Sequence, residues 1–363
     1  MINLDDRAAV IKLQGGEGVI NSVDGFSNQL DQSWSESQNI KIPDDYKKSQ
    51  KILVAGMGGS RFPALIIKDL FKGDLTVPLD INDNYILPGW VDKNTLVVLS
   101  SYSGTTEEVL TCADEAQKRG ANLLGITSGG EIERLSKDTG FPAYIFTPTY
   151  NPSEQPRIGV GYGVGGLLGL LYQLGFIKID GQTITSAINN LDNLLSSNKL
   201  PVASDQNPAK QMAKSLMGRY PYFVVAEHLT GVGNAVQNQV NETAKSISSY
   251  RVIPEINHHL MEGLKFPHDH SKLALFVFFN SSLYSDSVKK RFTITREVVE
   301  QNDISTLWCD LQGATPVEQV FELLGFSGYM TMYLSALYGQ DPTAIPYVDY
   351  FKKKLKEAQR PGD

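Results

Sequence analysis

Cysteine is scarce in this chain: there are 2 in 363 residues, Cys112 and Cys309, far apart in sequence. A disulfide framework or a cysteine-built metal site needs more thiols at closer spacing, so the two read as reduced core residues, one on a helix and one on a strand, of a cytoplasmic protein. Long apolar runs are missing as well. No window approaches the roughly 18 apolar residues of a membrane span, and the opening MINLDDRAAVIKL carries acids where a secretory leader would carry bases. Positive charge is not concentrated anywhere before the last turn of the chain, and the formal net charge is -7. A polyanion-binding face is thereby excluded as the main function, so neither nucleic acid nor membrane is an expected partner. H-E-x-x-H, cysteine clusters and carboxylate arrays are absent, and no metal or other cofactor is expected.

What is present fits a folded soluble protein, with 41% hydrophobic and 20% charged residues. A length of 363 residues exceeds what one core usually organises, so two domains are expected. Residues 4–36 are polar with scattered apolar positions and predict two short helices broken at Gly15 and Gly16. From Lys51 the pattern is strand (52–55), the turn G-M-G-G-S, and an amphipathic helix ending near Phe71. That turn lacks the Walker lysine and the third glycine of a dinucleotide loop, so it stands either as a tight strand-to-helix turn or as a phosphate loop. Strands follow over 76–81, 95–101, 122–127 and 143–146, apolar enough to be covered on both faces.

The loop after the 95–101 strand carries five hydroxyls, Ser100, Ser101, Ser103, Thr105 and Thr106, ahead of a helix starting with Glu107 and Glu108. Capping accounts for one of them; the row as a whole suits a phosphate monoester met by hydroxyl and backbone donors. Next, Arg157 follows a proline-rich loop and opens a glycine-rich apolar helix, whose small residues predict close packing between the domains or against a second subunit. Arg157 could lie at the surface or stabilise a developing oxyanion. A polar linker precedes a second round of strands and helices, with strands over 222–226, 273–280 and 305–310 and helices over 287–301 and 316–338. A basic helix closes the chain, with Val348, Phe351 and Leu355 as its expected buried face.

The stretch GVGNAVQNQVNETAKSISSYRVIPEINH, 231–258, places a carboxylate and an imidazole in weakly charged surroundings. Val236, Val240, Ala244 and Ile247 mark a buried helical stripe, with Glu242 at its rim. Glu242 is a candidate general base, or a solvent-facing residue paired with Lys245. His258 and the H-D-H of 268–270 would each, alone, be structural or solvated.

Taken together, G-M-G-G-S (56–60), S-Y-S-G-T-T-E-E (101–108), P-R (156–157), N-E-T-A-K (241–245) and P-E-I-N-H (254–258) resemble, in order and spacing, the bifunctional phosphoglucose/phosphomannose isomerase family of the sugar isomerase domain (SIS) superfamily. The resemblance runs from about Lys51 to Leu355. It implies an α/β fold of two SIS domains, each a parallel β-sheet flanked by helices as a three-layer sandwich. It also implies a homodimer with shared active sites, no metal and hexose 6-phosphate substrates. The domain expectation is an arm over 1–45, SIS domains over 46–195 and 205–340, and a tail over 341–363. By resemblance Gly58, Gly59, Ser60, Ser101, Ser103 and Thr106 bind the sugar phosphate, Glu242 shuttles the proton and Arg157 stabilises the enediolate. His258, from the partner subunit, and Lys352 assist ring opening and substrate placement. Arg61, Phe62, Pro63, Thr105 and His259 depart from the family pattern, and Arg61 would either contact phosphate or narrow the pocket. A silent sugar-phosphate sensor and an aminosugar-phosphate isomerase are the alternatives.

Overall fold

The computed structural model describes residues 2–358. Three helices open the chain, α1 (Arg7–Ile11), α2 (Gly16–Asp24) and α3 (Phe26–Ser37). The expected break at Gly15 is present, but a second break at Gly25 makes three helices where two were expected. There a Cβ would lie 3.0 Å from the Tyr150 carbonyl oxygen, tighter than most such contacts, so glycine eases the crossing of the 150 loop.

The first half contains β1 (Lys51–Gly56), α4 (Phe62–Leu70), β2 (Leu79–Asn82), β3 (Thr95–Ser100), α5 (Glu107–Lys118), β4 (Asn122–Thr127), α6 (Gly130–Thr139), β5 (Ala143–Ile145) and α7 (Val160–Gln173). The strands pair in parallel in the order β2-β1-β3-β4-β5. Their apolar runs follow from cover on both faces. Ile52, Val54, Leu96 and Val98 enter a large core, while Leu53, Ala55, Val97 and Leu99 enter a smaller one under α5 and α6. β2 begins at Leu79 rather than Thr76 because the Thr76 N–H donates to the Phe176 carbonyl at 2.9 Å.

Glycine-rich α7 packs against α3 of the same chain, not between the halves or on a second subunit as expected. A Cβ at Gly161 would come within 2.7 Å of the Gln29 Cβ, and one at Gly165 within 2.8 Å of the Leu30 carbonyl. The Ser33 hydroxyl donates to the Gly161 carbonyl at 2.9 Å across this contact.

The second half follows with α8 (Gly181–Leu195), α9 (Pro208–Leu216), β6 (Tyr220–Ala226), α10 (Thr230–Thr243), β7 (Ser249–Ile253), α11 (His270–Leu273), β8 (Ala274–Asn280), α12 (Asp286–Gln301), β9 (Ser305–Asp310) and α13 (Pro316–Leu337). Its sheet is also parallel, in the order β7-β6-β8-β9, and β7 is a strand the sequence pattern did not mark. α13 starts with a capping box between Thr315 and Glu318 and a proline in its first turn, and it is buried from Val317 to Leu337. It packs on α2, α8, α9 and α10, so the large core continues through both halves.

The tail helix α14 (Pro346–Ala358) departs from expectation. None of its residues is buried; Phe351 is 63% exposed and Val348 39%. The apolar stripe exists, but among the described residues no apolar surface buries it. Met1 of the expected arm and residues 359–363 of the expected tail lie outside the described residues. Cys112 is buried and Cys309 half-buried, both as free thiols. Among the described residues no helix is long and apolar enough to cross a membrane.

Candidate active site

Helix α10 stops at Thr243, earlier than its apolar spacing suggested, because Lys245 adopts a left-handed φ of 57 just beyond it. Ile247, expected on the buried stripe, is therefore outside the helix and 69% exposed. Glu242 falls in the last helical turn, half-buried. The expected alternative of a Glu242–Lys245 ion pair does not form. Lys245 Nζ turns back to donate to the carbonyl oxygens of Glu242 at 2.6 Å and Thr243 at 3.4 Å, capping the helix end. Among the described residues no hydrogen bond or ion pair engages the Glu242 carboxylate. Burial, and then the nearby Arg157, push the Lys245 ammonium down to about 8.

Arg157 is only 2% exposed. Its Nε donates to Thr243 Oγ1 at 3.1 Å, Nη1 to Gln155 Oε1 at 2.9 Å, and Nη2 to the carbonyls of Pro342 at 2.6 Å and Thr343 at 3.1 Å. Burial disfavours its charge, while Glu242 and then Asp341 favour it. The Arg157 carbonyl accepts from Gln239 Nε2 at 2.9 Å, and Gln239 in turn accepts from Ser327 of α13. Glu242 and Arg157 are thus held together by α10, the loop before α7 and the segment after α13. Lys245, Asn241 and Asp341, with Arg219, Tyr338 and Tyr347, border an open cleft of about 930 Å³ beside this cluster.

The glycine and hydroxyl loops lie next to it. A Cβ at Gly59 would come within 3.1 Å of the Arg157 backbone nitrogen, so the G-M-G-G-S turn rests directly on the arginine segment. Ser60 Oγ accepts from the Tyr102 N–H at 2.9 Å, and Ser100 Oγ donates to the Ser60 carbonyl at 2.7 Å, locking the two loops together. Ser101 and Thr106 share a hydrogen bond of 2.8 Å, and Ser103 and Thr105 one of 3.0 Å. Gly104, at φ 68, allows this turn: a Cβ there would lie 2.8 Å from Thr127 Oγ1. Arg61 turns the other way, with Nε 3.2 Å from Asp83 beyond β2, on the side of β1 opposite the hydroxyl loop.

The structure brings together Gly58, Gly59, Ser60, Ser101, Ser103, Thr106, Arg157 and Glu242. It does not bring the other two candidates to them within one chain. His258 is exposed at the end of a short 3-10 turn, and Lys352 lies exposed on α14 beside Asp349, Lys353, Lys356 and Glu357. His259 pairs with Glu255 at 2.7 Å, His268 sits edge-on to Phe266 and His270 edge-on to Tyr222. Among the described residues no group of three or more His, Cys, Asp or Glu is placed to hold a metal ion. Sequence reasoning missed Lys245 as a helix cap and Asp341 as a neighbour of Arg157. The D-P-T of 341–343 is a turn signal, yet nothing in the sequence says which side chain the turn would meet.

Residues 205–355 match the model of the bacterial phospho-glucose isomerase C-terminal SIS domain, and residues 45–139 that of the SIS domain. A protein of Caldicellulosiruptor bescii named bifunctional phosphoglucose/phosphomannose isomerase is 28% identical over 93% of this chain and 98% of its own. Over most of its length the chain is similar to proteins named bifunctional phosphoglucose/phosphomannose isomerase. Similarity extends to a protein of Sulfolobus acidocaldarius named D-glucosamine-6-phosphate 4-epimerase, 28% identical over 63% of this chain and 70% of that one. The fold is shared with a crystal structure of a hypothetical protein from Thermus thermophilus, with a TM-score of 0.74 and 14% identity over 93% of this chain and 90% of that one.

In this chain the two halves are not equivalent. By sheet order β6 and β8 correspond to β1 and β3, and Glu227, at φ 46 just after β6, stands where Gly58, at φ 52, follows β1. A Cβ at Gly58 meets nothing within 4 Å. In the second half the Glu227 carboxylate spans that space, accepting from the Ser285 N–H at 3.2 Å and from Ser285 Oγ at 2.7 Å. Only the first half presents its loop hydroxyls with this gap open.

Proposed function

We propose that the chain isomerises hexose 6-phosphates, converting glucose 6-phosphate and mannose 6-phosphate to fructose 6-phosphate through a cis-enediol. The observation that carries this is the Glu242 carboxylate, free of hydrogen bonds and ion pairs among the described residues, beside the buried guanidinium of Arg157. An aldose becomes a ketose when the C2 proton leaves and a proton arrives at C1. One carboxylate serves both transfers: Glu242 takes the C2 proton as the C1 carbonyl becomes the enediol, then returns it to C1 as the carbonyl forms at C2. Because the substrate epimers differ at the carbon that loses its proton, they reach the same enediol. Negative charge grows on O1 and O2 only in the transition state, and Arg157 meets it there.

Gly58, Gly59, Ser60, Ser101, Ser103 and Thr106 hold the phosphate, trading the Ser101–Thr106 bond and the Ser103 bond to Thr105 for donors to the ligand. Ring opening falls to His258 of a second subunit and substrate placement to Lys352. That assignment is supported by the exposure of both in a single chain and by the unpartnered apolar stripe of α14. The active form is then a cytoplasmic homodimer with shared sites. The boundaries are an arm over 1–45, SIS domains over 46–195 and 205–340, and a tail from 341.

A coupled assay tests this: purified protein forms fructose 6-phosphate from both aldoses. Thermal stabilisation by the sugars without turnover would instead establish a sugar-phosphate sensor. The likeness to the D-glucosamine-6-phosphate 4-epimerase favours a second reading, an enzyme of aminosugar phosphates. Turnover of glucosamine 6-phosphate in place of the neutral sugars would select it.

A further inference from the structure

Arg157 has five N–H donors, and four hydrogen bonds to the protein occupy most of them. Both hydrogens of Nη2 go to main-chain carbonyls, those of Pro342 and Thr343, in the segment joining α13 to α14. With Nε on Thr243 and one Nη1 hydrogen on Gln155, a single N–H on Nη1 is left for a ligand oxygen. What fixes the two carbonyls therefore fixes the direction of the one free donor.

A single side-chain oxygen does so. Asp341 Oδ1 accepts from the Thr343 N–H at 2.7 Å, from Thr343 Oγ1 at 2.6 Å and from the Ala344 N–H at 3.3 Å. These bonds fold residues 341–344 into a tight turn with the Pro342 and Thr343 carbonyls on the arginine side. The opposite side is closed by the N-terminal segment. A Cβ at Gly15, which has φ 74, would come 2.6 Å from Thr343 Cγ2 and 2.7 Å from Asp341 Oδ1. The turn is thus held between Gly15 and Arg157.

We propose that Asp341 is a positioning residue for the isomerisation: its carboxylate builds the turn that clamps Arg157 and aims the remaining N–H of the guanidinium at the developing enediolate. This rests on Arg157 acting on the substrate, as set out above. A clamp that acts only as charge develops alters kcat and leaves KM alone, and misplacing a catalytic group by about 1 Å costs up to about a hundredfold.

The test is steady-state kinetics on the full-length protein with glucose 6-phosphate, comparing Asp341→Ala, Asp341→Asn and Thr343→Val. Asp341→Ala is expected to lower kcat about tenfold to a hundredfold with KM within about twofold. Asp341→Asn keeps an acceptor oxygen for the turn and recovers kcat to within about threefold of wild type. Thr343→Val removes one of the three bonds, keeps both carbonyls, and gives a smaller loss confined to kcat; it decides the matter if Asp341→Ala does not fold. The proposal is overturned if Asp341→Ala, or the valine variant in its place, keeps wild-type kcat. It is also overturned if the loss appears in KM, or if asparagine is as damaging as alanine, since charge and not the turn would then matter. An inactive wild type would sink the isomerase reading itself; an active wild type with indifferent variants would sink only the clamp.

Discussion

Replacing Arg157 by lysine keeps a positive charge at the site and removes the fork. The guanidinium serves acceptors on three separate segments: Thr243 at the end of α10, Gln155 in the loop before α7, and Pro342 and Thr343 after α13. An ammonium has three donors on one atom and cannot span them. If two buried acceptors lose their partner, at ~1–3 kcal/mol each, the variant loses roughly 2–6 kcal/mol of folding stability. Such a loss lowers the melting temperature, and at its upper end it unfolds a protein that stands at the bottom of the usual range of about 5–15 kcal/mol. Loss of a preorganised donor at the oxyanion costs a further ~10²–10³ in kcat. Urea denaturation and kinetics on the same preparation separate the two effects. A lysine variant that is destabilised as expected yet keeps kcat within about tenfold of wild type would refute the assignment of Arg157 to the enediolate.

Other perturbations give independent checks. Lys245 holds its proton below about pH 8, and the charged ammonium caps the end of the helix that carries Glu242, so kcat is expected to fall on the alkaline side near that pH as the cap weakens. Lys245→Arg, charged throughout, moves this limb upward by at least about one unit; coincident profiles would contradict this dependence on the charged cap. Because the folded value lies below the ordinary 10.5, the unfolded chain binds more protons between about 8 and 10.5, and Lys245 makes stability rise with pH across that window. Lys210 is fully buried, with Nζ bonded to Asp5 at 3.0 Å and to the carbonyls of Leu200 at 2.9 Å and Val202 at 2.8 Å. Lys210→Met orphans both carbonyls and is expected to cost roughly 2–4 kcal/mol in urea denaturation, whereas Asp5→Asn, at a solvent-exposed carboxylate, costs under about 1 kcal/mol. Glu227→Ala removes the acceptor at the start of α12 and is expected to cost about 0.5–2 kcal/mol with kcat unchanged; a fall in kcat would mean that the loop after β6 contributes to the site.

The parallel strands were legible because burial on both faces leaves nearly unbroken apolar runs, as in β1, β3 and β8. The two loops were legible because glycine at Gly58 and Gly104 and hydroxyls at a helix start each have a local physical meaning. Other features depend on partners distant in sequence. Nothing near Gly25 announces that Tyr150 will cross it, and the small residues of α7 signal a close neighbour without naming α3. Periodicity carried α10 on to Ile247, but a left-handed Lys245 ended it, and a lysine at that conformation has no sequence signature. At α14 the amphipathic pattern is real, and no surface among the described residues receives it. Glu242 and Arg157 were legible as candidates. Asp341 was not, since its importance comes only from the carbonyls it turns toward Arg157.

The measurement closest to the central claim is proton exchange by NMR in deuterated water, supplying glucose 6-phosphate and, separately, mannose 6-phosphate to wild type and to Glu242→Gln. The account predicts that wild type forms fructose 6-phosphate from both with solvent deuterium entering the sugar, and that the glutamine variant, folded and still stabilised by the sugars, does neither. Deuterium entry or product formation at wild-type rate in the variant would contradict it.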